Sequence, residues 1–319
     1  MGYPSRGGTE DAATRGPPGS RREGALTEPA SHPRDRLRRE LGLGDATMLV
    51  VSSVIGVGIF LTPGQVAAEL PSANLFLLAW LTGGLLSLAG ALANAELGAM
   101  FPRAGGDYVY VREAYHPLAG FLVGWLSFFV VYAGTIATLA AGFAEGLVPL
   151  LDGAFGSPDG SGRLGESGRI AIALLLIALT SWVNYRGVRS GATFNNATAW
   201  AKIAALAALI VAGWIAVVPA PSGAPAAASE AIVPDLGAFG LALSPVLFTY
   251  LGWNAPIYVA SEIREPGRNL PASLFLGLAV CTALYLLLNL LYLRILSIDG
   301  LQGLGPPAEA TAIALFGEL

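Results

Sequence analysis

From Asp45 onward the chain is a succession of apolar runs separated by short polar breaks. Crossing a hydrocarbon layer about 30 Å thick takes roughly 20 helical residues. Seven runs are complete, at approximately 46–69, 75–100, 117–150, 170–186, 193–218, 237–262 and 271–296. An eighth begins near Pro307 and reaches about 13 residues at Leu319, short of a full crossing. The fold class expected is therefore an all-α polytopic membrane protein.

Charge is sparse and unevenly placed. Only 13% of residues are charged, against about 25% in a soluble domain. The first 45 residues hold eight Arg and seven acids, 15 of the 40 charges in the chain. Residues 1–40, rich in Gly, Pro, Ser, Arg and Glu without apolar periodicity, are expected to form a disordered tail. No apolar core follows the early arginines as a secretory signal requires, and Arg6 stands where a myristoylation pattern needs Ser or Thr. The membrane domain is expected over 41–319.

Arginine placement orients the spans, because cytoplasmic loops accumulate Lys and Arg near span ends. With the tail inside, the inside segments carry its eight Arg plus Arg103, Arg112, Arg186, Arg189, Arg264 and Arg268, while the outside segments carry Arg163, Arg169 and Arg294. The amino terminus is expected in the cytoplasm and the protein in the plasma membrane. A net charge of −4 and a pI near 5.3 offer no basic surface for nucleic acid. The single Cys281 lies in an apolar run, and the two His, His32 and His116, lie in the tail and an inside loop. Nothing has metal or haem spacing, so no cofactor, no metal and no enzyme chemistry are expected.

Two spans carry helix breakers where an anchor has none. The first holds Gly56-Val57-Gly58 and then Thr62-Pro63-Gly64; the sixth holds Ser244-Pro245, Gly252, Asn254 and Pro256. Glycine costs about 1 kcal/mol and proline about 3 kcal/mol in a helix. Irregular backbone at membrane depth survives only inside protein or along a cavity. Two interrupted spans opening two halves point to the inverted-repeat transporter plan, in which half-helix ends meet a charged substrate. Gly83, Gly84 and Gly90 of the second span read instead as contacts for close helix packing.

In order along the chain, several stretches resemble signatures of the amino acid-polyamine-organocation superfamily of permeases. These are Ile55-Gly56-Val57-Gly58-Ile59-Phe60, Ala95-Glu96-Leu97-Gly98, the inside-loop stretch from Pro102 to Tyr110, Gly124-Trp125 and Asn184-Tyr185-Arg186-Gly187-Val188. Phe248-Thr249-Tyr250-Leu251-Gly252-Trp253-Asn254, Glu262 and Arg268-Asn269-Leu270-Pro271 complete the set. The wording is most similar to bacterial L-amino-acid-transporter-like permeases. Such proteins usually have twelve spans, the first ten in two inverted five-helix repeats. By that pattern 41–319 is a transporter domain truncated in the eighth span, with an incomplete second repeat.

The resemblance implies secondary active transport of amino acids by alternating access. Backbone N–H groups near Val57, Gly58 and Ile59 would take the substrate carboxylate, carbonyls of Ile55 and Phe248, with Tyr250 nearby, its ammonium, and Gly56 counts with them among the substrate contacts. Phe248 resembles the family's aromatic lid. Thr249, Leu251 and Gly252 complete the expected substrate contacts. Val57 brings no hydroxyl, and Thr249 and Leu251 replace smaller residues, so a narrowed pocket for small to medium neutral substrates is expected. Glu96, Gly105, Gly106, Tyr108 and Glu262 match the family's cytoplasmic motifs and are expected in gate or structural roles. A non-transporting fragment of such a permease, or a carrier of a related amine or polyamine, is the alternative.

Lys202 is the only lysine and falls inside the fifth span. An ammonium at that depth is costly without a partner or a role. In similar permeases a lysine here occupies the place that a sodium ion holds in related transporters and hydrogen-bonds the unwound first span. Transport is then expected to be sodium-independent, by proton symport if the ammonium cycles a proton, or by exchange. The expected partners are an amino acid, the lipid bilayer and protons. The outside loop around 152–169 has no Cys, so no disulfide-linked subunit is expected.

Overall fold

Two of the apolar runs do not form continuous helices. In the computed structural model, which describes residues 39–155, 165–216 and 236–317, the first run is split into α1 (Leu43–Val54) and α2 (Gly58–Glu69), bent 50° apart. The sixth run gives α9 (Leu236–Thr249), then irregular backbone from Tyr250 to Asn254, the short α10 (Ala255–Tyr258) and a 3-10 turn (Ala260–Glu262). Residues 1–38, with the tail expected to be disordered, lie outside the described residues, as do Arg163 and 217–235.

The other runs are unbroken or nearly so. α3 (Ala73–Met100) is the second span, and α4 (Asp107–Ala114) lies in the loop after it. The third span is α5 (Pro117–Leu126), a π-helical stretch (Ser127–Tyr132) and α6 (Ala133–Phe155). α7 (Glu166–Tyr185) and α8 (Val188–Ile215) follow, and after α10 come α11 (Pro266–Leu301), kinked at Ser297, and the short α12 (Pro307–Phe316). Among the described residues five helical stretches are long and apolar enough to cross a membrane, or six with α1 and α2 taken as one. The protein is an all-α polytopic membrane protein.

Local chemistry sets the helix ends. Proline occupies the first turn of α5, α11 and α12, where its missing N–H has no intrahelical partner to lose. Asp45 caps α1, its Oδ2 accepting from Gly42 N at 2.9 Å. The fifth span's helix, α8, starts at Val188, five residues before its apolar run. The polar turn Arg189-Ser190-Gly191 is helical although it is not apolar, so the helix projects beyond the expected span.

Lipid tails are as apolar as leucine, so these helices associate through close packing and buried hydrogen bonds rather than through escape from water. The buried stripe of α3 runs Phe76, Ala79, Trp80, Gly83, Gly84, Ser87, Ala91, Ala95 and Gly98, at helical spacing. Its glycines let other helices approach: a methyl group on Gly84 would lie 2.7 Å from Thr282 Oγ1 of α11, and one on Gly83 would overlap Val246 of α9. α11 packs on α3 and α1, while α2 packs on α9 and α1 on α8. Both breaks lie against this core, through Ile55 at the first and Tyr250 at the second. A cluster of Trp80, Tyr250 and Tyr285, each fully buried, lies against them, with ring centroids 5.1 to 6.4 Å apart.

Candidate substrate site at the two broken spans

At the end of α1 Ile55 leaves helical geometry, with φ −72° and ψ 86°, and Gly56 N turns back to donate to Val54 O at 2.8 Å. Phe60 N is the first of α2 to turn back, donating to Val57 O at 3.1 Å, and the N–H groups of Gly58 and Ile59 precede that turn. At the second break Gly252 adopts φ +106°, a conformation that a side chain disfavours. A Cβ there would also lie 2.7 Å from Ser53 O. The breaks are thus in backbone contact with each other. Gly58 and Thr249 meet just as closely: a Cβ on Gly58 would be 2.9 Å from Thr249 Cα.

Lys202 stands in the middle of α8, the fifteenth of its 28 residues. Its Nζ donates to Ile55 O at 2.9 Å and to Ser52 O at 3.0 Å. The ammonium therefore sits at the C-terminal end of α1, where unpaired carbonyls and the helix dipole present partial negative charge. It covers carbonyls that the break releases, rather than reaching for the membrane surface.

Of the residues expected to contact substrate, Gly56 and Gly252 are half-buried and the others divide into two groups. Val57, Phe248 and Leu251 have exposed side chains, between 50% and 60% of their full accessibility. Ile55, Gly58, Ile59, Thr249 and Tyr250 are buried in helix contacts. Thr249 has a different surrounding from the pocket expected of it. Its hydroxyl donates to Pro245 O at 2.9 Å and lies 2.8 Å from that of Thr62, stitching α9 to α2. The Tyr250 hydroxyl is likewise engaged, donating to Trp80 O at 3.2 Å. Phe248 O accepts from Leu251 N at 3.2 Å.

The motifs of the loop after the second span converge on the end of the sixth span. Gly106, at φ +48°, lies flat against the Tyr258 ring, where a Cβ would come within 2.6 Å, and Gly105 N donates to Tyr258 O at 3.3 Å. Tyr258 OH donates to Asp107 Oδ2 at 2.8 Å and accepts from Asn254 Nδ2 at 3.0 Å. Sequence reasoning singled out Gly105, Gly106 and Tyr108 but missed Asp107, Tyr258 and Asn254 as one linked set. Tyr108 packs instead on Gly124 of α5, its ring 5.6 Å from the Arg112 guanidinium carbon. Glu96 is exposed on α3. Glu262 O accepts from Leu41 N at 3.0 Å, and Arg264 N donates to Leu41 O at 2.9 Å. This pair ties the segment entering α1 to the segment leaving the second break. Arg103 lies 3.9 Å from Glu113 and makes no ion pair with Glu96 or Glu262 among the described residues.

A multi-pass helical protein with two interrupted spans in mutual contact, and a lysine donating into one of them, has the build of a membrane permease. The profile of the amino acid permease family matches residues 41–318, and the chain belongs to that family, whose members are transporters rather than enzymes. It is 34% identical over 285 residues to the serine/threonine exchanger SteT of Bacillus subtilis, covering 89% of this chain and 61% of that protein. It is 33% identical over 268 residues to the mouse large neutral amino acids transporter small subunit 2, covering 82% and 48% respectively. The human b(0,+)-type amino acid transporter 1 is 32% identical over 262 residues, covering 82% and 52%. The chain spans about half the length of the curated relatives it matches.

Proposed function

We propose that the protein carries amino acids across the membrane by alternating access, without sodium, with the two breaks as its substrate site. The observation that carries this reading is the Lys202 ammonium, 2.9 Å from Ile55 O and 3.0 Å from Ser52 O. Freed carbonyls at the negative end of a half-helix form a cation site, and here a side chain already fills it. A dissolved cation is then not required. The N–H groups opening α2 are left for the substrate carboxylate, and Phe248 and Leu251 border the place of its side chain.

Exchange is the preferred mode over proton symport, because one relative is named a serine/threonine exchanger. That name, with the large neutral amino acids of another, also supports a neutral substrate. Val57 and Leu251 limit the size of the pocket; Thr249, turned into the helix contact, does not. The orientation follows the arginine asymmetry, with α1 opening from the cytoplasm and the plasma membrane as the location. The one cysteine is buried in α11, which speaks against a disulfide to a partner through this part of the chain.

The test is uptake of a panel of labelled amino acids into liposomes holding the purified full chain. Sodium is compared with choline, each with and without a pH gradient and with and without internal amino acid. Uptake that needs internal amino acid and ignores sodium is expected. Sodium-dependent uptake would sink the reading. Comparable uptake of Trp and Ala, unchanged by Leu251→Gly, would remove the size limit.

A further inference from the structure

The aromatic cluster beside the breaks contains a donor that serves both of them. Tyr285, on α11, is fully buried. Its hydroxyl lies 2.8 Å from Val54 O and 3.4 Å from Thr249 O. Val54 is the last residue of α1 and Thr249 the last of α9. One phenol thus faces the carbonyl ends of both half-helices.

A phenol has one proton to donate, so it can serve one of these carbonyls fully at a time. In this structure the shorter bond goes to α1. Val54 O also accepts from Gly56 N, so the α1 end has a second donor when the hydroxyl turns away. The ring itself is held in place. Its centroid is 6.0 Å from that of Trp80 and 5.1 Å from that of Tyr250. Tyr285's own helix is pressed onto α1 lower down, where a Cβ on Gly277 would lie 2.5 Å from Val50 Cβ.

We propose that Tyr285 is a positioning residue that couples the two broken spans, its single proton passing between Val54 O and Thr249 O as one half-helix moves relative to the other. The coupling rests on the transport reading for its purpose. It does not rest on any contact with substrate, because the hydroxyl acts through the backbone at the two helix ends. Lys202 holds Ser52 O and Ile55 O from the α8 side and reaches only the first break. Tyr285 reaches both.

The test uses Tyr285→Phe in the purified full chain, which removes the hydroxyl and keeps the ring. Amide hydrogen exchange is read on peptides covering 52–58 and 246–252, without amino acid present. Binding and liposome exchange of labelled L-serine and L-leucine are read in parallel. Exchange protection is expected to fall at least threefold at both breaks together, with the melting temperature nearly unchanged. Amino acid turnover should drop at least fivefold while the binding constant stays within threefold, a split that mere destabilisation does not produce. Protection lost at one break only, or at neither, overturns the proposal whether or not transport is affected. If protection falls at both breaks but the parent chain neither binds nor carries either amino acid, the coupling stands and the transport reading fails. Site-specific 3-fluorotyrosine at position 285, a stronger donor of similar shape, should raise protection at both breaks. It decides the matter if Tyr285→Phe does not fold.

Discussion

Asn196 Nδ2 donates to Asp45 Oδ1 at 2.7 Å, and this bond fixes the entry of α1 to the first half of α8. The other Asp45 oxygen accepts from Gly42 N, so one carboxylate both caps its own helix and anchors it to a neighbour. At the far end of α1, Lys202 of the same α8 donates to Ser52 O and Ile55 O. The half-helix before the first break is therefore held at both ends by the fifth span, while its middle is packed against α11. A half-helix held in this way moves as a rigid unit or moves α8 with it.

Asp45 and Asn196 should be coupled in stability. A hydrogen bond to a charged group contributes about 1.5–3 kcal/mol in soluble proteins, while interhelical bonds in membranes average about 0.6 kcal/mol. Asn196→Ala is expected to cost about 1 kcal/mol. Asp45→Ala should cost about 1 kcal/mol more, because the cap is lost as well. The double variant should be no less stable than Asp45→Ala alone. Unfolding followed by tryptophan fluorescence in detergent completes the cycle, and strictly additive losses would mean that the two side chains do not act on each other.

Gly252→Ala should be among the most damaging single-methyl changes in the chain. The residue sits at φ +106°, and its Cβ would lie 2.7 Å from Ser53 O, a backbone atom that cannot turn aside. Left-handed strain costs about 1 kcal/mol or more, and separating the two breaks adds to it. The expected loss is at least about 2 kcal/mol, with amino acid binding falling further than stability alone accounts for. Gly240→Ala, where nothing lies within 4 Å of the new methyl group, is the control and should be neutral. Equal effects at the two positions would refute the contact.

Much of this site could be read from the residues, for a physical reason. Glycine and proline inside an apolar run, like a lone lysine, are costly in lipid, so the sequence alone marks Gly56, Gly58, Gly252 and Lys202. Tyr285, Asn196 and Tyr258 carry no such mark. A tyrosine in an apolar stretch is ordinary, and where its hydroxyl goes depends on which helix arrives opposite it. Thr249 shows the same limit from the other side: its place in a motif suggested a pocket, whereas packing turned its hydroxyl toward Thr62. The start of α8 was missed because the apolar pattern reports the lipid boundary and not the end of the helix.

The loop after the second span offers a pH test. Glu113 accepts from Arg112 Nη2 at 2.8 Å and lies 3.9 Å from Arg103. The hydrogen bond from Arg112 holds its carboxyl below the ordinary carboxylate range. A depressed carboxylate pKa stabilises the fold above the unfolded value and ceases to do so as pH falls through the folded one. Glu113→Gln should therefore lower the melting temperature slightly at pH 7, by no more than about two degrees for so exposed a pair. As pH falls through the depressed folded value, beneath the ordinary carboxylate range, the variant and the parent should converge, and 1 M salt should shrink the difference at pH 7. A difference that grows on acidification would reverse the sign and exclude the ion pair as its source.

Lys202 gives the sharpest test of the site itself. Its ammonium supplies both charge and hydrogen bonds to Ser52 O and Ile55 O, and these contributions can be separated. Lys202→Met keeps much of the length and removes both; Lys202→Gln keeps a donor and removes the charge; Lys202→Arg keeps the charge on a planar fork of another shape. Losing a charge-assisted bond at the break should lower uptake by at least about tenfold, equivalent to about 1.4 kcal/mol. The expected order of uptake is parent, then Arg, then Gln, then Met, the same in sodium and in choline. If the Gln variant matched the parent, the charge would have no part in the cycle. If sodium restored the Met variant, the vacated carbonyls would be accepting a dissolved cation in place of the ammonium, which would show the lysine to be a built-in substitute for that ion.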